Sequence, residues 1–417
     1  MTAFPRTTRS DHPGVRAIPS GIWALGLVSL FMDMSSELIH SLLPVFMVSV
    51  LGASVLTVGL IEGIAEATAA ITKVFSGFLS DYLGKRKFLT GLGYAVAALT
   101  KPLFALAPAV SWVFAARFAD RIGKGIRGAP RDALIGDIAP ADLRGACFGL
   151  RQSLDTVGAV VGPLAAIPLM LLFADDFRAV FWVAVLPAIL AVTILIIGVR
   201  EPEHPRSREQ ARTPLVARDL AKLGHAYWWI VVIGTVLTLA RFSEAFLVLR
   251  AESTGLKLAL IPLVMVVMST AYAACAYPAG KLSDRIPRWY VLAAGLLVLI
   301  VADIVLALAG NVWQVMVGIT LWGVHMGLTQ GLLATLVADT APAAWRGSAF
   351  GLFNLITGVA LLAASVIAGW LWQRYGAPVT FFTGAALTAL ALVGLIAVEQ
   401  GPSHRQNGSP NNRAGQA

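Results

Sequence analysis

The stretch Gly77-Phe78-Leu79-Ser80-Asp81-Tyr82-Leu83-Gly84-Lys85-Arg86-Lys87 returns later in the chain as Gly280-Lys281-Leu282-Ser283-Asp284-Arg285-Ile286-Pro287-Arg288. In both places a short charged segment separates two long apolar runs. One copy would be a loop; two copies make a duplicated membrane protein. A charged segment is not stable in lipid, so Asp81 and Asp284 are expected at the membrane edge. There each would sit near the N-terminus of the following helix or against the end of a neighbouring one, where free amides favour a carboxylate. The basic residues that follow are expected to face the anionic inner surface.

A second pair of strings repeats at nearly the same spacing. Asp137-Ile138-Ala139-Pro140 followed by Arg144-Gly145 and Phe148-Gly149-Leu150 is matched by Asp339-Thr340-Ala341-Pro342 followed by Arg346-Gly347 and Phe350-Gly351-Leu352. The offset is 202 residues here and 203 for the first pair, so a whole half of the chain is repeated. Two six-helix bundles related by an axis along the membrane normal fit that offset.

Composition agrees. Of 417 residues 57% are hydrophobic and 13% charged, where soluble domains carry about a quarter charged residues. Apolar runs of the roughly 20 residues needed to cross a bilayer can be placed at 22–50, 56–79, 88–108, 112–136, 146–172, 178–199, 227–249, 257–279, 289–309, 312–337, 348–371 and 378–398. The expected fold is therefore an all-α integral membrane protein of twelve helices. Its expected parts are an N-terminal tail (1–20), one six-helix bundle (21–200), a linker (201–226), a second bundle (227–398) and a disordered tail (399–417). The first apolar run is too long and too acidic for a cleaved signal and is expected to remain as a span.

The net charge of +9 sits in short turns and tails rather than in one basic domain, which argues against nucleic acid and for anionic lipid. Arg86, Arg144, Lys281, Arg285 and Arg346 fall in the connections on one side of the membrane, while 51–57, 108–111 and 310–311 on the other carry no Lys or Arg. Both termini are therefore expected in the cytoplasm of a cell membrane. Cys147 and Cys275 offer neither a disulfide framework nor metal spacing. No nucleotide loop, His-Glu-x-x-His motif or nucleophile pairing is present, so neither an enzyme nor a cofactor or metal is expected.

Charges inside the apolar runs are costly, each about 2.5–3.5 kcal/mol at the bilayer centre, so they mark the place where chemistry is expected. Asp33, Glu37 and His40 share one face of the first span, and Glu62 and Glu66 one face of the second. The fourth span is densest, with Arg117, Asp120, Arg121, Lys124, Arg127, Arg131 and Asp132. Pairing this stripe with the acids of spans one and two, in bonds that break and reform as the cavity opens on alternate sides, would couple protonation to gating. Static ion pairing between helices is the plainer alternative. Glu37 and Glu66 lie nearest the middles of their spans and are the expected proton carriers. Arg151 and Asp155 sit four apart on the fifth span, and Gly158 with Gly162 and Pro163 is expected to admit a close neighbour. The second half offers Arg241, Glu244, Asp303 and His325. Gly77, Asp81, Gly84, Arg86, Gly280, Asp284 and Arg285, with Asp137 contacting Arg144 and Asp339 contacting Arg346, are expected to gate the inner face.

On these residues the chain resembles the major facilitator superfamily. The turn at Gly77, Asp81, Gly84 and Arg86 is similar to the signature between that family's second and third helices, although Tyr82 departs from it and Pro287 replaces a glycine in the second copy. Arg117, Gly123 and Gly125 are similar to its fourth-helix motif, and Gly158 to Pro163 resembles the fifth-helix motif of its antiporters without the trailing glycine pair. Asp33, Glu37, Glu66, Arg121, Lys124 and Arg127 stand in strings that look like a prokaryotic permease branch. The resemblance implies secondary transport: proton-coupled efflux of a small organic or amphiphilic compound by a monomer, or alternatively uptake of a metabolite or iron-siderophore complex. A receptor or scaffold that kept the architecture without transporting is a further alternative.

Overall fold

The computed structural model describes residues 18–140, 143–201, 223–283, 285–340 and 346–399. The expected linker and both tails fall largely outside these. Twelve membrane helices follow one another: α1 (Ser20–Val50), α2 (Val55–Leu83), α3 (Arg86–Leu106), α4 (Val110–Ile138), α5 (Arg144–Leu172), α6 (Phe177–Gly198), α7 (His225–Ser253), α8 (Leu258–Ser283), α9 (Arg288–Leu308), α10 (Val312–Thr340), α11 (Arg346–Tyr375) and α12 (Ala377–Glu399). Among the described residues eleven are apolar enough to cross a membrane by composition alone; α4 falls short. Its charges lie instead against protein, and Arg117, Asp120, Arg121 and Arg127 are all buried.

The opening segment is less of a turn than its charge suggests. Helix α2 continues through Gly77 and Asp81 and stops only at Gly84, whose φ of +61° is the left-handed conformation that glycine adopts without steric cost. Its N–H closes the helix on the Ser80 carbonyl at 3.0 Å. Polar residues extend a helix past the lipid as readily as apolar ones; the backbone of Gly84 is what ends this one. Asp81 thus belongs to the last turn of α2, and the α8 copy likewise stays helical through Ser283.

The leading helix of each half is broken at matching levels. In α1 the helix runs to His40, turns at Ser41 and Leu42, and resumes from Leu43. Pro44 lacks the N–H that would bond the His40 carbonyl, which gives the break its cause. In α7 the break spans Arg241–Glu244, and Ser243, 202 residues after Ser41, caps the next segment through Oγ to the Ala245 N–H at 3.3 Å.

Helices α1, α5 and α6 pack together, as do α2, α3 and α4; α8, α9 and α10 form another group, and α12 joins α9 to α7. The halves meet through α2 against α11 and α5 against α8. At the end away from the termini their apolar cores merge, with Leu42, Phe46 and Val58 in one cluster with Phe246, Val248 and Ala368. Toward the termini the first half keeps its own cluster around Tyr94 and Ile135 and the second half one around Tyr227 and Val337, while the shared cluster continues there only within the second half, to Ala279, Val291 and Leu395. The cleft between the halves is therefore closed on the far side, and its two walls are packed separately on the near side.

Candidate functional site

Two adjoining cavities of about 250 and 310 Å³ lie between the halves and share Glu37, Lys124, Glu244 and Met265. The first is also lined by His40, Glu62, Glu66, Arg117, Arg121 and Arg241, and the second by Asp33, Asp155, Met268 and Tyr272. The α7 break supplies Arg241 to Ala245 to the wall. The two helix breaks thus give the cavity both His40 and Arg241–Glu244, one set from each half.

Around it the charges are distributed in layers. Arg117 donates to Glu62 Oε2 at 2.5 Å and to His40 Nε2, which fixes Nε2 as an acceptor. Arg121 reaches Glu66 Oε1 at 3.3 Å; it also comes within 3.4 Å of His40 Nδ1, but with Nε2 accepting, Nδ1 carries the ring proton and that approach is not a hydrogen bond. Glu37 Oε1 stands 3.7 Å from His40 Nδ1. Farther in, Asp120 accepts from Lys101 Nζ at 2.9 Å, and the same ammonium donates to Ser36 Oγ at 3.0 Å. Toward the termini Arg127 lies 3.9 Å from Asp33 and over the Tyr94 ring, while Arg151 binds Asp155 at 2.9 Å. In the interior such pairs offset a desolvation cost of several kcal/mol per ion, and breaking one from a single side leaves the other charge exposed to that cost.

Exposure separates the acids. The side chains of Glu66 and Glu37 are 35% and 24% exposed, those of Glu62 and Asp120 only 7% and 4%. Lys124, Arg241 and Glu244 face the cavity, and among the described residues no ion pair is formed by any of the three.

Several expectations change. His325 is not on the cavity: it is fully buried between α9 and α10, with Nδ1 bonded to the Gly295 carbonyl at 2.9 Å. The α10 face that carries it packs on α9, whereas Met326 and Gln330 reach the cleft. Asp120 lies behind the cavity wall, held by Lys101. Asp137, expected on Arg144, is bound by Arg86 across α3 and α4, because the N-terminus of α3 lies beside the end of α4 while Arg144 opens the next helix. Gly158 and Gly162 lie against α1, where an added Cβ would come within 2.3 Å of the Leu30 carbonyl and 2.6 Å of that of Met34. Asp284 lies outside the described residues, as do the side chains of Asp81, Asp339 and Arg346. Gly280 and Arg285 are exposed at the termini-bearing end. Lys101, absent from the expected set, was signalled only by its place in an otherwise apolar run, where a lysine carries the same cost as the other buried charges.

The family model of the Major Facilitator Superfamily matches residues 25–249 and 232–415. The chain belongs to the Major Facilitator Superfamily. An uncharacterised MFS-type transporter, MJ1317 of Methanocaldococcus jannaschii, is 32% identical over 92% of this chain and 96% of its own. A multidrug resistance protein, MdtH of Cronobacter sakazakii, is 26% identical over 84% and 86%. The crystal structure of a mutant of the nucleoside transporter NupG superposes with a TM-score of 0.74 at 13% identity, over 90% of this chain and 99% of that one. This major facilitator protein is a multi-pass membrane protein and a secondary-active transporter of small molecules rather than an enzyme.

Proposed function

We propose that the chain is a proton-coupled exporter of a small organic or amphiphilic compound, working as a monomer by alternating access with both termini in the cytoplasm. One observation carries the coupling: Glu37 and Glu66 both reach the cavity with cations behind them, Glu66 3.3 Å from Arg121 and Glu37 3.7 Å from His40, the ring that Arg117 bonds. An acid at a cavity surface, next to cations that other acids share, can exchange a proton for a cargo group without leaving a buried charge unpaired. The cleft within one chain supports the monomer, the basic connections on the termini side support the orientation, and the similarity to MdtH together with Gly158 to Pro163 supports export.

Purified protein in sealed vesicles with an imposed proton gradient tests the reading against a panel of organic cations and neutral amphiphiles. The expected result is cargo movement opposite to the proton flow, with Glu37→Gln and Glu66→Gln transporting in a pH-insensitive way. Cargo that moves with the protons would make the protein an importer. Transport indifferent to the gradient would end the coupling proposal, and wild-type-like Gln variants would remove these two acids from it.

A further inference from the structure

We infer that Asp303 of α9 is a second proton-binding site, in the half opposite the acid cluster, holding its proton in this structure and set against the break in α7. Asp303 is fully buried, and neither carboxylate oxygen has a hydrogen-bond partner among the described residues. It faces α12 at Gly384: a Cβ there would stand 2.7 Å from Asp303 Oδ2 and 3.2 Å from the Ala240 carbonyl. The missing side chain of Gly384 thus leaves the acid, that carbonyl and the edge of the Phe242 ring bordering one small space. Ala240 is the last residue of the first α7 segment, whose final helical bond is Arg241 N–H to the Leu237 carbonyl. The carbonyls of Thr238, Leu239 and Ala240 therefore have no helical donor.

An ionised Asp303 would be a bare buried anion beside the negative end of a helix, unfavourable on both counts. The surrounding charges do not relieve it. Arg241 and Glu244 of α7 face the cavity. Arg250 is engaged by the Leu306 and Ala309 carbonyls at 2.9 and 2.6 Å. His325 of α10 is bonded to Gly295, and α12 carries no charged residue before Glu399. A metal ion fits poorly, because the described residues contain no group of three acids, histidines or cysteines. The neutral acid fits, with one O–H to give and an unsatisfied carbonyl beside it. Since the cavity wall from Arg241 to Ala245 begins at the next residue, losing this proton places a repelling charge behind the α7 break and loosens the wall that carries Glu244.

Infrared difference spectra of the protein in lipid nanodiscs between mildly acidic and alkaline pH test this. A protonated-carboxyl stretch that persists at neutral pH, disappears in Asp303→Asn and moves without disappearing in Asp303→Glu is the expected result. Absence of such a band in the wild type at neutral pH, or its survival in Asp303→Asn, overturns the inference. If Asp303→Asn fails to fold, an unmoved band in Asp303→Glu does the same. Loss of the band on adding sodium at constant pH overturns it in favour of a cation site.

Discussion

Lys101 and Asp120 lie at 0% and 2% exposure, each dependent on the other for its charge. Replacing Lys101 by Met leaves Asp120 buried without its hydrogen-bonded cation, a loss of about 3–5 kcal/mol. The thermal midpoint of purified Lys101→Met should fall accordingly, and Asp120→Asn in the same chain should recover most of it. A single variant as stable as the parent, or a double no better than the single, would refute the pairing. The two acids of α2 differ in the same terms. Glu62 is locked to Arg117, so Glu62→Gln should cost stability, whereas the more open Glu66→Gln should change the pH dependence of transport and leave the melting curve nearly intact.

Helix contacts in this protein are set by where a side chain is missing. Gly158 brings α5 so near α1 that a methyl group would overlap the Leu30 carbonyl, while Gly149 on the same helix has nothing within 4 Å. Gly158→Ala should therefore destabilise by about 1–3 kcal/mol and Gly149→Ala by far less, read from parallel thermal melts. Equal losses would show that intrinsic helix preference, not the approach to α1, is being measured. Gly93 and Gly123 meet the same way between α3 and α4, where a Cβ added to either would come 2.6–2.7 Å from the other's carbonyl oxygen. That approach carries the charged face of α4 into the protein, where Lys101 and Glu62 can reach it.

Across the whole molecule, the merged apolar core on one side and the divided cores on the other describe a cleft open toward the termini. With Cys147 and Cys275 replaced, Ser269→Cys on the second cavity should react with a membrane-impermeant thiol reagent supplied from the termini side and resist it from the other. Val58→Cys, fully buried in the shared core, should resist from both. Reaction of Ser269→Cys only from the far side would reverse the accessible face. The two broken helices α1 and α7 stand at corresponding places in the repeat, so a rocking of one half on the other would move both sets of cavity groups together.

Eleven spans were legible from hydropathy, the charged α4 from its place between two of them, and the duplication from the 202–203-residue spacing of its repeated strings. The sequence by itself also marked Glu37, Glu66, Arg121, Lys124, Arg241 and Glu244, all of which come to one cavity, because any charge in an apolar run must turn away from lipid. It could not say which cation each acid meets. Asp137 goes to Arg86 and Asp120 to Lys101, and His325 turns from the cleft, through the rotation and axial register of neighbouring helices. Those are fixed by glycine contacts such as Gly93 with Gly123 and by the breaks at Ser41 and Ser243, where residues distant in the chain decide how closely two backbones approach.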